Sequence, residues 1–153
     1  MLGSVDCMHW QWKNCPVALR GSYTSGHKGT HPTVILEAVT NYRLWIWHAY
    51  FGVPGSNNDV NVLNNSDLFS EVLNGKASAI NFIANNRQYK MRYYLADGIY
   101  PKWPTFVKTF NRPANEKQSL VAQKQEAARK DVERSSSSSS LNPQTVSRYF
   151  SAI

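Results

Sequence analysis

The sequence predicts an α/β fold, a mixed sheet of about five strands with flanking helices that is incomplete at its C-terminal end. Three observations predict it. Residues 2–12 alternate in polarity, with Leu2, Ser4, Asp6 and Met8 on one side and Val5 and Cys7 on the other, the period-two pattern of a half-buried strand. Two β-branched and aromatic runs follow, TVILEAVT (33–40) and LWIWHAYFGV (44–53), joined by the polar Asn41-Tyr42-Arg43 of a hairpin. Beyond them, helical and strand patterns take turns, giving the order strand, strand, strand, helix, strand, strand, helix.

Between the first and second strands, residues 14–31 are rich in glycine and hydroxyls and read as a solvated loop, in which Arg20, His27 and Lys28 are candidate phosphate contacts. Pro54-Gly55 ends the third strand. Ser56 is then a candidate N-cap with Asp59 three positions on, and the helix it opens should run to Asn74-Gly75, burying a stripe of Val60, Leu63, Leu68, Val72 and Leu73. Residues 81–90 suggest a loop or weak hairpin, 92–96 a fourth strand delivering Asp97 at its end, and TFVKTF (105–110) a fifth. Residues 114–134 form a charged helix with Leu120, Val121, Ala128 and Val132 as its buried positions, and the six serines 135–140 should end it abruptly. The domain reading is therefore a partial core over 1–134 and a Ser-rich linker with a short tail over 135–153. The tryptophans Trp10, Trp12, Trp45 and Trp47 lie on neighbouring strands and suit a packed sheet face.

A chain of 153 residues has room for one core, and its formal charge of +7 favours a polyanionic partner. Lys and Arg outnumber Asp and Glu by 4 to 3 over 1–60, 6 to 3 over 61–110 and 7 to 4 over 111–153, so the excess is spread out and no dense basic tail exists. Cys7 and Cys15 alone cannot make a four-ligand zinc site, and His9, His27, His31 and His48 show no ligand spacing. No apolar stretch approaches bilayer length and the start does not read as a signal peptide, so an intracellular protein is expected.

Three carboxylates stand out: Asp6 inside its strand-like run, Asp97 at the end of another, and Glu133 on the last helix, with 35 residues between it and Asp97. Charged side chains are seldom buried without a partner, and a divalent cation is one such partner. Mg²⁺ takes oxygen ligands from a few carboxylates and keeps positions open for water and a phosphate, which points to a metal-dependent phosphodiester-cutting site. Each acid has a plainer reading too. Asp97-Gly98 could be a turn, Asp59 a capping acid, and Glu133 the i+4 partner of Arg129.

The element order is that of an RNase H-like core, and four local motifs are sharper still. Val5-Asp6-Cys7-Met8-His9, the run from Phe51 through Pro54-Gly55-Ser56 to Asp59, Leu95-Ala96-Asp97-Gly98-Ile99-Tyr100-Pro101, and Arg129-Lys130-Asp131-Val132-Glu133-Arg134 together resemble the PIF/Harbinger transposase family. The resemblance covers residues 3–134. It implies a DDE-type endonuclease core in which Asp6, Asp97 and Glu133 are the catalytic carboxylates and Asp59 a further acid near the metal, with Mg²⁺ or Mn²⁺ as cofactor and DNA as partner. It also implies nuclear localisation. Family members carry an upstream helix-turn-helix region, so a separate DNA-binding protein would supply targeting to a chain that begins at the first catalytic strand. The family continues its last helix where this chain has serines, which places Glu133 in a fraying final turn. Two functions follow from these residues: a transposase-derived nuclease core, or a catalytically inactive, domesticated relative acting as a nucleic-acid- or chromatin-associated binding protein.

Overall fold

The computed structural model describes residues 1–26, 29–43, 45–70, 74, 81–90 and 92–137, with the backbone alone at 84 and 131–137. Its strands are β1 (Gly3–Gln11), β2 (Thr33–Thr40), β3 (Ile46–Pro54), β4 (Phe82–Ala84), β5 (Arg87–Tyr89), β6 (Tyr94–Ala96) and β7 (Phe106–Lys108). Its helices are α1 (Arg20–Tyr23), α2 (Asp59–Asn65) and α3 (Glu116–Ser137). The main sheet has the order β3-β2-β1-β6-β7, and β4 and β5 form a hairpin of their own. β2 pairs antiparallel with β1 and β3, whereas β6 lies parallel to β1 and β7 parallel to β6. A parallel neighbour needs a long crossover, and the chain between β3 and β6 provides it. The result is the mixed, five-stranded RNase H-like sheet with flanking helices expected from the sequence.

Strand alternation sorts the core onto two faces. Val5, Val39, Tyr94, Ala96 and Phe106 pack with Leu63 and Phe69, while Cys7 joins Ile35, Val53 and Val62. These side chains share one face, which α2 and the turn after it cover. The intervening residues Ser4, Leu36, Ala38, Thr40 and Leu95 are buried as well, and alternation puts them on the opposite face. There α3 lies against β1 and β6.

Several boundaries differ from the sequence reading. The N-cap of α2 is Asn58, whose side chain accepts the Asn61 N–H at 2.8 Å. Ser56 is instead spent in a turn in which the Asn57 N–H reaches the Pro54 carbonyl at 3.0 Å. The helix stops at Asn65 because the Ser66 hydroxyl accepts the Leu68 N–H and starts a separate 3-10 turn, Asp67–Phe69. The expected continuation through Val72, Leu73 and Gly75 lies outside the described residues, as does Leu44 at the start of the third strand run.

α3 opens on Asn115, whose side chain accepts the Gln118 N–H at 2.9 Å while the Gln118 side chain accepts the Ala114 N–H at 2.8 Å. The helix continues to Ser137, three residues into the serines, because serine is a mediocre helix former rather than a breaker. Its buried face is polar. Leu120 and Val121 are exposed, and Gln125 and Arg129 are buried in their place. The Gln125 amide donates to the carbonyls of Ala96 and Val107 at 3.4 and 3.3 Å, so the helix is held to the sheet ends by hydrogen bonds that an apolar stripe could not make. The Val132 side chain lies outside the described residues. Trp45 and Trp47 are largely exposed rather than packed, although Trp47 stacks on Tyr94.

Gly55 is required by a close approach. A Cβ there would stand 2.0 Å from Thr33 Oγ1 and 2.6 Å from the Thr33 carbonyl oxygen, which accepts the Gly55 N–H.

Candidate active site

Asp6 occupies the middle of β1, opposite Ala38 of β2. On its other side the parallel register sets Ser4 against Leu95, so two residues further along Asp6 comes level with Asp97, the first residue beyond β6. Both follow the parity of Ser4 and Leu95 and belong to the face under α3. Neighbouring strands run about 5 Å apart, so register and alternation set the two residues side by side on one face of the sheet. Apolar residues on either side hold each strand in register, and the two acids emerge where the parallel pair ends.

The surroundings of Asp97 are built from four elements. Its Oδ1 accepts the Gly98 N–H and lies 3.1 Å from Nη1 of Arg129, a buried residue of α3. The Tyr100 N–H reaches back to the Asp97 carbonyl at 3.2 Å, closing the turn. Lys108 of β7 donates from Nζ to the carbonyls of Gly98, at 3.0 Å, and of Tyr100. The turn reading of Asp97-Gly98 is therefore correct as local structure, and the turn fixes the carboxylate over the strand ends. Arg129 pairs with Asp97, and the expected pairing of Arg129 with Glu133 lies outside the described residues. Glu133 follows one helical turn later, and its side chain lies outside the described residues.

Asp59 opens α2 on the other face of the sheet, near enough to Cys7 and Tyr100 for its charge to act on both. The Cys7 sulfur and the Tyr100 hydroxyl are 3.4 Å apart. Burial pushes the Cys7 thiol far above its usual range, and the carboxylates of Asp59, Glu37 and Asp6 push it further. Burial raises the Tyr100 phenol in the same way, with Asp59 and Glu37 adding to it. Glu37 is fully buried in β2 and faces His48 Nε2 at 3.3 Å. Among the described residues no group of three or more His, Cys, Asp and Glu side chains is arranged to hold a metal ion.

Of the expected phosphate contacts, Arg20 lines an open cleft of about 410 Å³ with Lys13, His31, Trp12 and Thr24 at the far end of β1. His27 and Lys28 lie outside the described residues.

A family model described as plant transposon protein matches residues 1–140. The chain belongs to that family. No curated protein and no solved structure matches it. Membership accounts for the transposase and nuclease type of fold. No described helix of the chain is long and apolar enough to cross a membrane.

Sequence reasoning missed the parts that Gln125 and Glu37 play. Glu37 left a signal, as the one charge inside TVILEAVT. Gln125 left none, because a glutamine on a charged helix looks like surface.

Proposed function

We propose that this chain is a DNA-cutting core that hydrolyses or transfers phosphodiester strands with a divalent metal, using Asp6, Asp97 and Glu133, with Asp59 as an accessory acid. The observation that supports the reading is the parallel pairing of β1 with β6, whose register, carried two residues past Ser4 and Leu95, would set Asp6 level with Asp97 on the face that α3 crosses. Carboxylate oxygens are the donors that Mg²⁺ and Mn²⁺ take, so the donor chemistry of Asp6 and Asp97 fits, and Glu133 would be the third ligand, delivered by α3. When bound, such an ion supplies an activated nucleophile and charge stabilisation at the phosphate. The chain's own residues do the positioning. The Gly98 N–H aims the Asp97 carboxylate, Arg129 neutralises it until an ion takes its place, Lys108 stiffens the turn beneath it, and Gln125 ties α3 to the ends of β6 and β7. DNA meets the surplus of basic charge, a separate DNA-binding protein supplies targeting, and the nucleus is the compartment where the substrate lies.

Relaxation of supercoiled plasmid with Mn²⁺ tests this. The expected result is slow, sequence-indifferent nicking that Asp6→Asn, Asp97→Asn and Glu133→Gln each abolish, with Asp59→Asn milder. Nicking that survives Asp6→Asn together with Asp97→Asn would overturn it.

One observation favours a second reading. Asp97 is engaged by Arg129, as in a site converted to structural use, and a domesticated, non-catalytic DNA- or chromatin-associated protein would bind plasmid in the same assay without nicking it.

A further inference from the structure

The β4–β5 hairpin lies outside the main sheet, and nothing described above gives it a role. It turns on Asn85 and Asn86, both in the left-handed region at φ 51° and 59°, which suits a tight two-residue hairpin. Phe82 and Tyr89 face each other across it and stack, with ring centroids 5.1 Å apart and planes 14° from parallel. Tyr93 stands 6.3 Å from Phe82. These three rings, with Pro104, Val107 and Lys90, line an open cleft of about 660 Å³. Tyr89 remains 43% exposed, an aromatic ring offered to solvent at the cleft.

Alternation puts Tyr93 and Val107 of the cleft on the side of the sheet that carries Asp6 and Asp97. Val107 pairs with Leu95, and the Tyr93 carbonyl accepts the Leu2 N–H, so the extended chain carries Tyr93, Leu95 and Asp97 on one side of the sheet. That side is the Asp6 and Asp97 face. Tyr93 precedes Asp97 by four residues, about 13 Å along the strand, which is the rise of about four stacked nucleotides. Charge complementarity names the occupant. No Asp or Glu occurs from residue 72 to residue 96, while Arg87, Lys90 and Arg92 sit on or beside the hairpin. An apolar peptide would need none of those cations, and a duplex could not enter between rings. Exposed aromatic faces rimmed by Arg and Lys are what unpaired bases and their phosphates require.

We propose that this cleft binds a short single-stranded DNA segment, one base stacking on the exposed ring of Tyr89 beside the half-buried Tyr93, and its phosphates meeting Lys90 and Arg87. The inference rests on the DNA reading above and adds where the unpaired strand lies.

The test is fluorescence anisotropy of a labelled ten-nucleotide oligothymidylate on the intact chain in EDTA, against a blunt duplex of matched length. Metal-free binding separates this proposal from the nuclease reading, since loss of nicking leaves the anisotropy unaffected. The expected result is a preference for the single strand. Tyr89→Ala should weaken it roughly tenfold, as loss of one base stack does. Tyr89→Leu keeps the bulk and loses the aromatic face, so it should weaken binding to a similar degree with an unchanged circular dichroism spectrum. Lys90→Gln should reduce the salt slope by about 0.7, one phosphate's worth for a single strand. Tyr42→Ala, an exposed tyrosine in the β2–β3 turn, should change nothing. Equal affinity for duplex, an undiminished affinity in Tyr89→Leu, or a loss in Tyr42→Ala as large as that at Tyr89 would each overturn the proposal.

Discussion

Arg129→Met removes the cation facing Asp97 while keeping a flexible stem in the buried position. At 3.1 Å the Coulomb attraction is about 5 kcal/mol at an effective dielectric of 20 and about 1.3 kcal/mol at that of water. Asp97 is 53% exposed, so the lower figure applies, and side-chain entropy brings the net contribution to about 1 kcal/mol. A divalent ion that uses the Asp97 carboxylate must displace Arg129 and overcome the same amount. Its affinity should therefore rise about five- to tenfold in the variant at low salt. The folded state, losing the pair, should melt about 2 to 4 °C lower without metal. Isothermal titration with Mn²⁺, alongside melting curves with and without Mn²⁺, measures both quantities. The gain in affinity should shrink in 1 M NaCl, where the ion pair is already screened. An Arg129→Met chain that binds Mn²⁺ no better than the parent would refute competition at Asp97, and with it the placement of the ion on that carboxylate.

Two further outcomes follow from the fold. Gly55→Ala forces a Cβ against Thr33, so it should cost about 1 to 3 kcal/mol and lower the melting temperature by several degrees, and an unchanged melting curve would show that the Thr33 contact is easily relaxed. Cys7 holds its proton more tightly when folded than at its ordinary value of 9.0, so the stability it contributes is whole below pH 9 and falls as pH rises, by about 1.4 kcal/mol per unit. Tyr100 adds the same trend only above its ordinary 10.0. Cys7→Ala should therefore delay the alkaline decline in melting temperature by about one pH unit, and parallel curves for the two chains from pH 8 to 10 would contradict the burial of the thiol.

Elements that depend on local pattern were legible in the residues. The alternation around Asp6 put Val5 on one face and Ser4 on the other, as the sheet has it, because a strand's two faces are set by its own period. The hairpin β2–β3 and the strand before Asp97 were legible for the same reason. Boundaries set by side-chain competition were not. Ser56, Asn58 and Ser66 are all acceptable caps, and only the turn after Pro54 decides that Asn58 takes the role and that Ser66 closes the helix. The buried face of α3 was misread because hydrophobicity pointed to Leu120 and Val121, whereas the ends of β6 and β7 present carbonyls that Gln125 answers.

Order and spacing along the chain are one-dimensional facts, so the residues alone were enough to read a transposase-type α/β core. Folding was needed to pair the strand of Asp6 in parallel with the strand before Asp97, to open a helix at Asp59 on the other face, and to turn Arg129 to Asp97. Strand register and helix rotation decide such meetings, and both are fixed by packing between segments that lie far apart in the chain.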